Sequence, residues 1–157
     1  MIILDNSVLS AFTRLDQLCL VRELFNDVVI PIGVYEEYRG RWGSKALPNW
    51  IIIERLGEEE FKEAELLNLG AGEAQSIILA AQQGCFLGLD DENARETAKN
   101  KCINVIGSIG ILRIAYESGL IETRDQYKDL ISKLSEDLYL ENWLLKWAFE
   151  AEKSTKK

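Results

Sequence analysis

Apolar and polar residues alternate along this chain in a way that predicts strands and helices in turn. The runs Met1–Leu4, Val28–Ile30 and Phe86–Leu89 carry apolar residues at successive positions. A run that is apolar on both faces is typical of a strand buried in a parallel sheet. Ile103–Ile106 and Trp50–Ile53 predict two further strands, the second of them peripheral.

Amphipathic segments lie between these runs and predict helices. In the clearest one, Ala74, Ile77, Ile78 and Ala81 follow the i, i+3, i+4, i+7 spacing of one helical face. The full set of predicted helices covers residues 6–15, 16–25 with Asp16 as N-cap, 31–38, 58–67, 69–84, 90–102 and the segment after Gly107, with two more around 127–134 and 140–147. The segment 39–49 is rich in Gly, Pro and Trp and predicts an exposed loop.

This alternation predicts the fold class. Strands that take turns with helices favour a single doubly wound α/β domain, with a central parallel sheet flanked by helices. We expect the domain to cover residues 1–152 and a disordered basic tail to cover 153–157.

The charge balance restricts the functions that the chain can have. Its 157 residues include 26 acids and 18 Lys and Arg, for a net charge of -8. This argues against tight nonspecific binding to nucleic acid, because phosphate contacts need a surplus of basic side chains. A local basic patch or a carboxylate cluster neutralised by bound cations is compatible with this charge, and only the cluster also explains the acid excess.

The chain contains no histidine, which removes Ser-His and Cys-His nucleophile pairs and His-ligated zinc. Cys19, Cys85 and Cys102 show no C-x-x-C spacing and predict small buried hydrophobes in a reducing compartment. Asp5 and Arg14 interrupt the N-terminal apolar pattern, and the longest apolar runs are too short to span a bilayer. We therefore expect a cytoplasmic protein with no membrane partner.

Several polar residues follow predicted strands directly and precede helices. The carboxyl ends of parallel strands form the ligand crevice of open α/β sheets, so such residues converge if their strands are neighbours. Crowded carboxylates repel one another unless a cation compensates, and Mg²⁺ and Mn²⁺ favour oxygen ligands. The candidates are Asp5, Asp90, Asp91 and Ser108 at strand ends, with Glu37 and Glu73 on helices that could reach the same edge.

Each candidate also has a structural interpretation. Asp5, the pair Asp90-Asp91 and Ser108 can each cap the helix that follows. Glu73 in a first helical turn is favoured by the helix dipole whatever its function. The pair Glu36-Glu37 is more often a solvated helix face than a pair of ligands. Taken singly, these residues leave both interpretations open.

Their order along the chain carries more information. D-N-S at the N-terminus is followed by P-I-G-V-Y-E-E, L-G-A-G-E-A-Q-S-I-I-L-A, L-D-D-E-N-A-R and I-G-S-I-G-I-L. This order resembles PIN-domain proteins, in particular a branch of small prokaryotic members typified by V-Y-E-E, G-E-A and D-D-x-x-A-R. The resemblance runs from Met1 to about Ile121. Asn6 departs from the pattern, since Thr is frequent there.

The resemblance implies a PIN-like fold and a divalent-metal-dependent endoribonuclease, often the toxin of a toxin–antitoxin pair with a small antitoxin protein as partner. On this pattern Asp5, Glu37, Glu73 and Asp91 match the acidic catalytic positions that hold Mg²⁺ or Mn²⁺. Asp90 is an alternate metal ligand to Asp91. Ser108 matches a Thr or Ser that supports the metal-site water or an acid.

RNA binding and alternative functions complete the expectations. We expect the basic segment of Arg39, Arg41, Trp42 and Lys45 to help hold RNA, although an ordinary solvated turn has the same composition. The alternative function is a noncatalytic PIN-like binding or scaffold module. A phospho-acceptor receiver domain also gathers acids at strand ends, but it needs a lysine that the segment after Ile106 does not offer.

A final expectation concerns association. Trp143 and Trp147 lie four residues apart beside Leu140 and Leu144. These aromatics either finish the core of the monomer or form an exposed patch that closes a two-fold dimer. The helix of Leu18, Val21 and Phe25 is the other candidate for that patch. PIN proteins of this sort commonly dimerise, so the resemblance favours a homodimer.

Overall fold

The computed structural model describes residues 1–43 and 47–154, and in them the chain forms five strands and nine helices. The bounds are β1 Ile2–Leu4, α1 Asn6–Arg14, α2 Leu18–Phe25, β2 Val28–Pro31, α3 Ile32–Trp42, β3 Ile52–Glu54, α4 Glu58–Glu65, α5 Ala71–Gln83, β4 Phe86–Gly88, α6 Glu92–Asn100, β5 Val105–Ile106, α7 Ser108–Glu117, α8 Arg124–Asp137 and α9 Asn142–Phe149.

The five strands form one sheet in the order β3-β2-β1-β4-β5, and every pair is parallel. Ile3 of β1 is in register with Val29 of β2 on one side and with Leu87 of β4 on the other. The chain extends the sheet in one direction from β1 to β3 and then crosses to β4, so the topological switch point lies between β1 and β4. The predicted fold class is confirmed.

Both faces of the sheet are covered, as a parallel sheet requires. Ile2 and Leu4 of β1 pack into the larger apolar cluster, whereas Ile3 between them packs into the cluster on the opposite face. Val28 and Val29 of β2 divide in the same way. The larger cluster is built with α1, α2, α7 and α8, and the other with α5 and α6.

Two helix boundaries differ from the predictions. The segment predicted as a loop from residue 39 is helical up to Trp42, because Trp42 stacks on Tyr38 and its indole Nε1 donates to Ser10 Oγ at 3.1 Å. These contacts with α1 outweigh the cost of Gly40 inside a helix. Asp16 does not cap α2. It has φ of +55° in the turn after α1, and Gln17 takes the N-cap position.

The cysteines also differ from their prediction. Cys19 and Cys102 are exposed and Cys85 is half-buried, so they are not buried hydrophobes. Cys102 lies in the tight turn after α6 with φ of +59°, and Cys19 lies on the solvent side of α2. Apolar neighbours in sequence therefore did not indicate their burial, because neighbouring residues on a helix point in different directions.

The C-terminal aromatics do not complete the core. Trp143 is 64% exposed and Trp147 38% exposed, although Leu140 is buried against α7 and α8. The interpretation of both tryptophans as core residues is therefore wrong. On α2, Leu18 and Val21 are buried within the chain, so that helix does not offer the alternative patch.

Within residues 1–43 and 47–154 no helix is long and apolar enough to cross a membrane. The last residue of the second range, Ser154, donates its backbone N–H to Glu117 O at 2.9 Å. The remainder of the predicted tail, 155–157, lies outside the described residues, and its disorder stays a prediction.

Candidate metal centre

The carboxyl ends of β1, β4 and β5 lie side by side at one edge of the sheet. Asp5 follows β1 directly, and its backbone N–H donates to Gly88 O at the end of β4 at 3.0 Å. Asp90 and Asp91 follow β4, and Ser108 follows β5. This edge flanks the switch point between β1 and β4, where doubly wound sheets bind their ligands.

Asp5 is the most deeply buried acid of the described residues, with 1% of its surface exposed. Its Oδ1 accepts the N–H of Val8 at 3.0 Å, and Ser7 Oγ donates to both carboxylate oxygens at 2.9 and 3.0 Å. Burial raises the pKa of Asp5 to about 7, and the charges of Asp90 and Glu73 add to the effect against the hydrogen bonds from Val8 and Ser7. Asp5 is thus both the cap of α1 and a member of an acidic group.

Asp90 is held by the start of α7. The backbone N–H of Ser108 donates to Asp90 Oδ1 at 2.8 Å, and its hydroxyl donates to Oδ2 at 2.6 Å. Burial raises the pKa of Asp90, while the two bonds from Ser108 and the charge of Arg95 lower it. Ser108 is itself fully buried, so its hydroxyl orients this carboxylate and does not face solvent.

Asp91 and Glu73 face each other across the edge. Asp91 is exposed and caps α6, with Oδ1 accepting the N–H of Ala94 at 2.9 Å. Glu73, in the first turn of α5, is half-buried. Burial raises the pKa of Glu73, and the charges of Asp91 and Glu37 raise it further.

Glu37 approaches the same end of α5 from α3. Its Oε1 accepts the N–H of Gly72 at 3.0 Å, so the carboxylate binds the N-terminus of α5. A Cβ at position 72 would lie only 2.8 Å from Glu37 Oε1. The glycine in the L-G-A-G-E-A stretch therefore permits this close approach of α3 and α5.

The kind of donor fits a divalent cation better than the present arrangement does. The cluster offers only carboxylate oxygens, which Mg²⁺ and Mn²⁺ prefer, and burial with like charge makes their ionised forms costly. In the part of the chain described, however, no three acids or cysteines stand ready to hold one ion. Asp91 and Glu37 each bind a single backbone N–H and are exposed, so both can rotate towards an ion.

The predicted RNA-binding residues lie at the end of α3. Arg39 and Arg41 are exposed, whereas Trp42 is half-buried between the guanidinium groups of Arg14 and Arg41, 5.9 and 5.5 Å from its ring centre. Lys45, the fourth residue of that prediction, lies outside the described residues. The tryptophan is linked towards the acidic edge, because Ser10 Oγ accepts from Trp42 and donates to Asn6 Oδ1 at 3.3 Å.

Sequence reasoning assigned no role to several residues of the site. Ser7 binds Asp5, and Arg95 lies near Asp90 beside Gly107. Gln75 is buried in α5, and its Oε1 accepts the N–H of Gly33 at 2.9 Å. Arg95 has a signal in the sequence, since it is one helical turn after Asp91 in L-D-D-E-N-A-R. The other two have none.

Parallel strands in this order, with acids on both sides of the switch point, define a doubly wound α/β domain with an acidic crevice. The model of the PIN domain matches residues 1–149, and the chain belongs to the PIN-domain family. PIN domains have a nuclease-type fold, are generally hydrolases and generally use divalent metals. No curated protein matches the chain in sequence.

Proposed function

We propose that this protein is a divalent-metal-dependent endoribonuclease that hydrolyses RNA phosphodiesters at the acidic edge. The observation that carries the proposal is the burial of Asp5 at the switch point, with its pKa raised to about 7 by burial and by Asp90 and Glu73. A fold alone has little use for an acid so unfavourably placed. A catalytic cation would offset this cost.

The chain's own residues have distinct roles in this proposal. Asp5, Glu73 and Asp91 bind the cation, with Glu37 and Asp90 as further ligands. Ser108 fixes the orientation of Asp90 through its two hydrogen bonds, and Ser7 does the same for Asp5. Bound Mg²⁺ or Mn²⁺ supplies a water of lowered pKa and neutralises charge on the phosphate.

The metal requirement tests the proposal. Single-stranded RNA should be cleaved with Mg²⁺ or Mn²⁺ and left intact with excess chelator, because no histidine is present to activate water in the ion's place. Gel analysis of an end-labelled oligonucleotide measures this, with Ca²⁺ as a control for charge screening. Cleavage that survives chelation would point to a contaminating nuclease or a different chemistry. Binding without any cleavage would favour the noncatalytic module.

We further propose that Arg39, Arg41, Trp42 and Lys45 hold RNA leading into the site. The hydrogen-bonded path from Trp42 through Ser10 to Asn6, the neighbour of Asp5, supports this direction. Aromatic rings and arginines together suit single strands, whose bases stack while their phosphates pair with charge.

Removing charge from this segment should weaken RNA binding more than it slows chemistry. The double variant Arg39→Gln/Arg41→Gln should raise KM roughly tenfold at unchanged kcat and lower the salt dependence by about two charges. The matched control Arg55→Gln/Lys128→Gln removes the same charge from exposed positions elsewhere and should behave as wild type. Equal KM values in the two double variants would refute the assignment.

We propose a homodimer closed through α9. Trp143, Trp147 and the 88% exposed Tyr139 leave a large apolar surface uncovered on the single chain. Light scattering at micromolar concentration should give the dimer mass, and Trp143→Glu should give the monomer mass at unchanged melting temperature. Leu66→Glu, at an apolar residue 84% exposed on another surface, is the control and should stay dimeric. A monomeric wild type would end this proposal.

A further inference from the structure

Arg95 is a cation placed beside the acidic edge. It lies on α6, one turn after Asp91, and its backbone N–H donates to Asp91 O at 2.9 Å. Its side chain reaches Gly107 at the end of β5, where a Cβ would lie 2.9 Å from Arg95 Nη1 and 3.0 Å from Asp90 Oδ1. The guanidinium and the Asp90 carboxylate therefore meet at Gly107, and only glycine leaves room for both.

The guanidinium of Arg95 has no partner in the part of the chain described. Two arginines are half-buried there, Arg95 and Arg113. Arg113 binds Glu117 and the carbonyl of Trp147, whereas Arg95 makes no side-chain hydrogen bond and no ion pair within 4.0 Å. Every fully buried side-chain nitrogen of the described residues has a partner, so the donors of Arg95 reach solvent.

Asp90 does not use this cation. Both of its oxygens are taken by Ser108, at 2.8 and 2.6 Å, and Arg95 lies beyond ion-pair distance. A half-buried guanidinium loses hydration and rotamer freedom, a cost that an unpaired arginine recovers only from a ligand. The donors of Arg95 are thus free for a group that enters the crevice from solvent.

We propose that Arg95 binds a phosphate oxygen of the RNA backbone beside the scissile position. The inference rests on the proposed function of the edge and names the residue that makes it acceptable to a polyanion. Asp5, Glu73, Asp90 and Asp91 repel phosphate, and one divalent cation offsets only part of that charge. Arginine is suited to this role because its planar fork pairs with two phosphate oxygens.

RNA binding without cleavage tests this directly. In an Asp5→Asn parent, we would measure the affinity for a labelled single-stranded oligoribonucleotide by fluorescence anisotropy in Mg²⁺ over a range of salt. Adding Arg95→Gln should weaken binding roughly tenfold and lower the salt dependence by about one charge. Arg95→Lys should keep the salt dependence and recover part of the affinity. Lys99→Gln, which removes an exposed charge one turn further along α6, should bind as the parent does.

A second variant tests the space at β5. Gly107→Ala should displace the guanidinium and weaken binding with all charges retained, so its salt dependence should stay that of the parent. If Arg95→Gln binds as tightly as Lys99→Gln, the inference is wrong and Arg95 only balances the charge of Asp90. If Arg95→Gln is unfolded at the assay temperature, Arg95→Lys decides. Binding by Arg95→Lys equal to the parent overturns the inference.

The inference and the proposed function fail separately. Wild-type protein that binds RNA through Arg95 but never cleaves it would remove the nuclease proposal and keep the phosphate contact. Metal-dependent cleavage with KM unchanged in Arg95→Gln would do the reverse.

Discussion

Asp5→Asn abolishes RNA cleavage, by about 10³-fold or more, and leaves the melting temperature equal or higher. The loss follows because an amide cannot replace the charged ligand, and metal-assisted catalysis supplies several kcal/mol of barrier lowering. The fold is kept because the amide oxygen of the substituted side chain can still accept the N–H of Val8 and the hydroxyl of Ser7. Removal of a buried charge then relieves repulsion from Asp90 and Glu73.

Initial rates and thermal melts of wild type, Asp5→Asn and Asp16→Asn provide the comparison. Asp16 is exposed beyond the other end of α1, and its positive φ is tolerated by asparagine, so Asp16→Asn should match wild type in rate. If the protein is a toxin, wild type but not Asp5→Asn should arrest growth when expressed in a bacterial host. Normal cleavage by Asp5→Asn, or its unfolding, would make Asp5 a structural residue.

Without divalent metal, the free energy of unfolding should fall as pH rises from about 4 to about 7. In this window the unfolded chain has released the proton of Asp5, whose ordinary pKa is 3.8, while the folded protein retains it up to about 7. The folded state binds more protons, so raising the pH favours unfolding by on the order of 3 kcal/mol. The raised pKa values of Glu73 and Asp90 act in the same direction.

Urea unfolding at a series of pH values in chelator measures this slope, and Asp5→Asn should flatten a large part of it. The flattening separates Asp5 from the general self-repulsion of a chain with net charge -8, which both proteins share. Saturating Mn²⁺ should restore stability above pH 7, because only the folded site binds the ion. An equal slope in both proteins would show that Asp5 is ionised throughout the window.

The sheet could be predicted from the sequence because its signals are local. Met1–Leu4 and Val28–Ile30 are apolar on both faces, and in the structure their residues alternate between two buried clusters. The strand order could not be predicted, since it depends on crossovers and not on any one segment. The end of α3 was missed for the same reason, because Trp42 is held in the helix by Ser10, which lies 32 residues away.

The acids of the site were found through their order along the chain, but their contacts were not. Nothing near Glu37 in sequence indicates that its carboxylate binds Gly72, and nothing near Asp90 indicates Ser108. The exposure of Trp143 was also beyond local pattern, because helical spacing identifies a face but not whether another element covers it. Arg95 became visible only once the end of β5 was placed beside it.

A crystal structure of the wild-type protein soaked in Mn²⁺ tests the central claim most directly. We expect an anomalous peak at the switch point within about 2.2 Å of a carboxylate oxygen of Asp5 and of at least one of Glu73, Asp90 or Asp91, with Asp91 or Glu37 turned from its backbone N–H towards the ion. A soaked crystal with no peak at this edge, or with Mn²⁺ bound only elsewhere, would contradict the assignment of these acids as a metal centre.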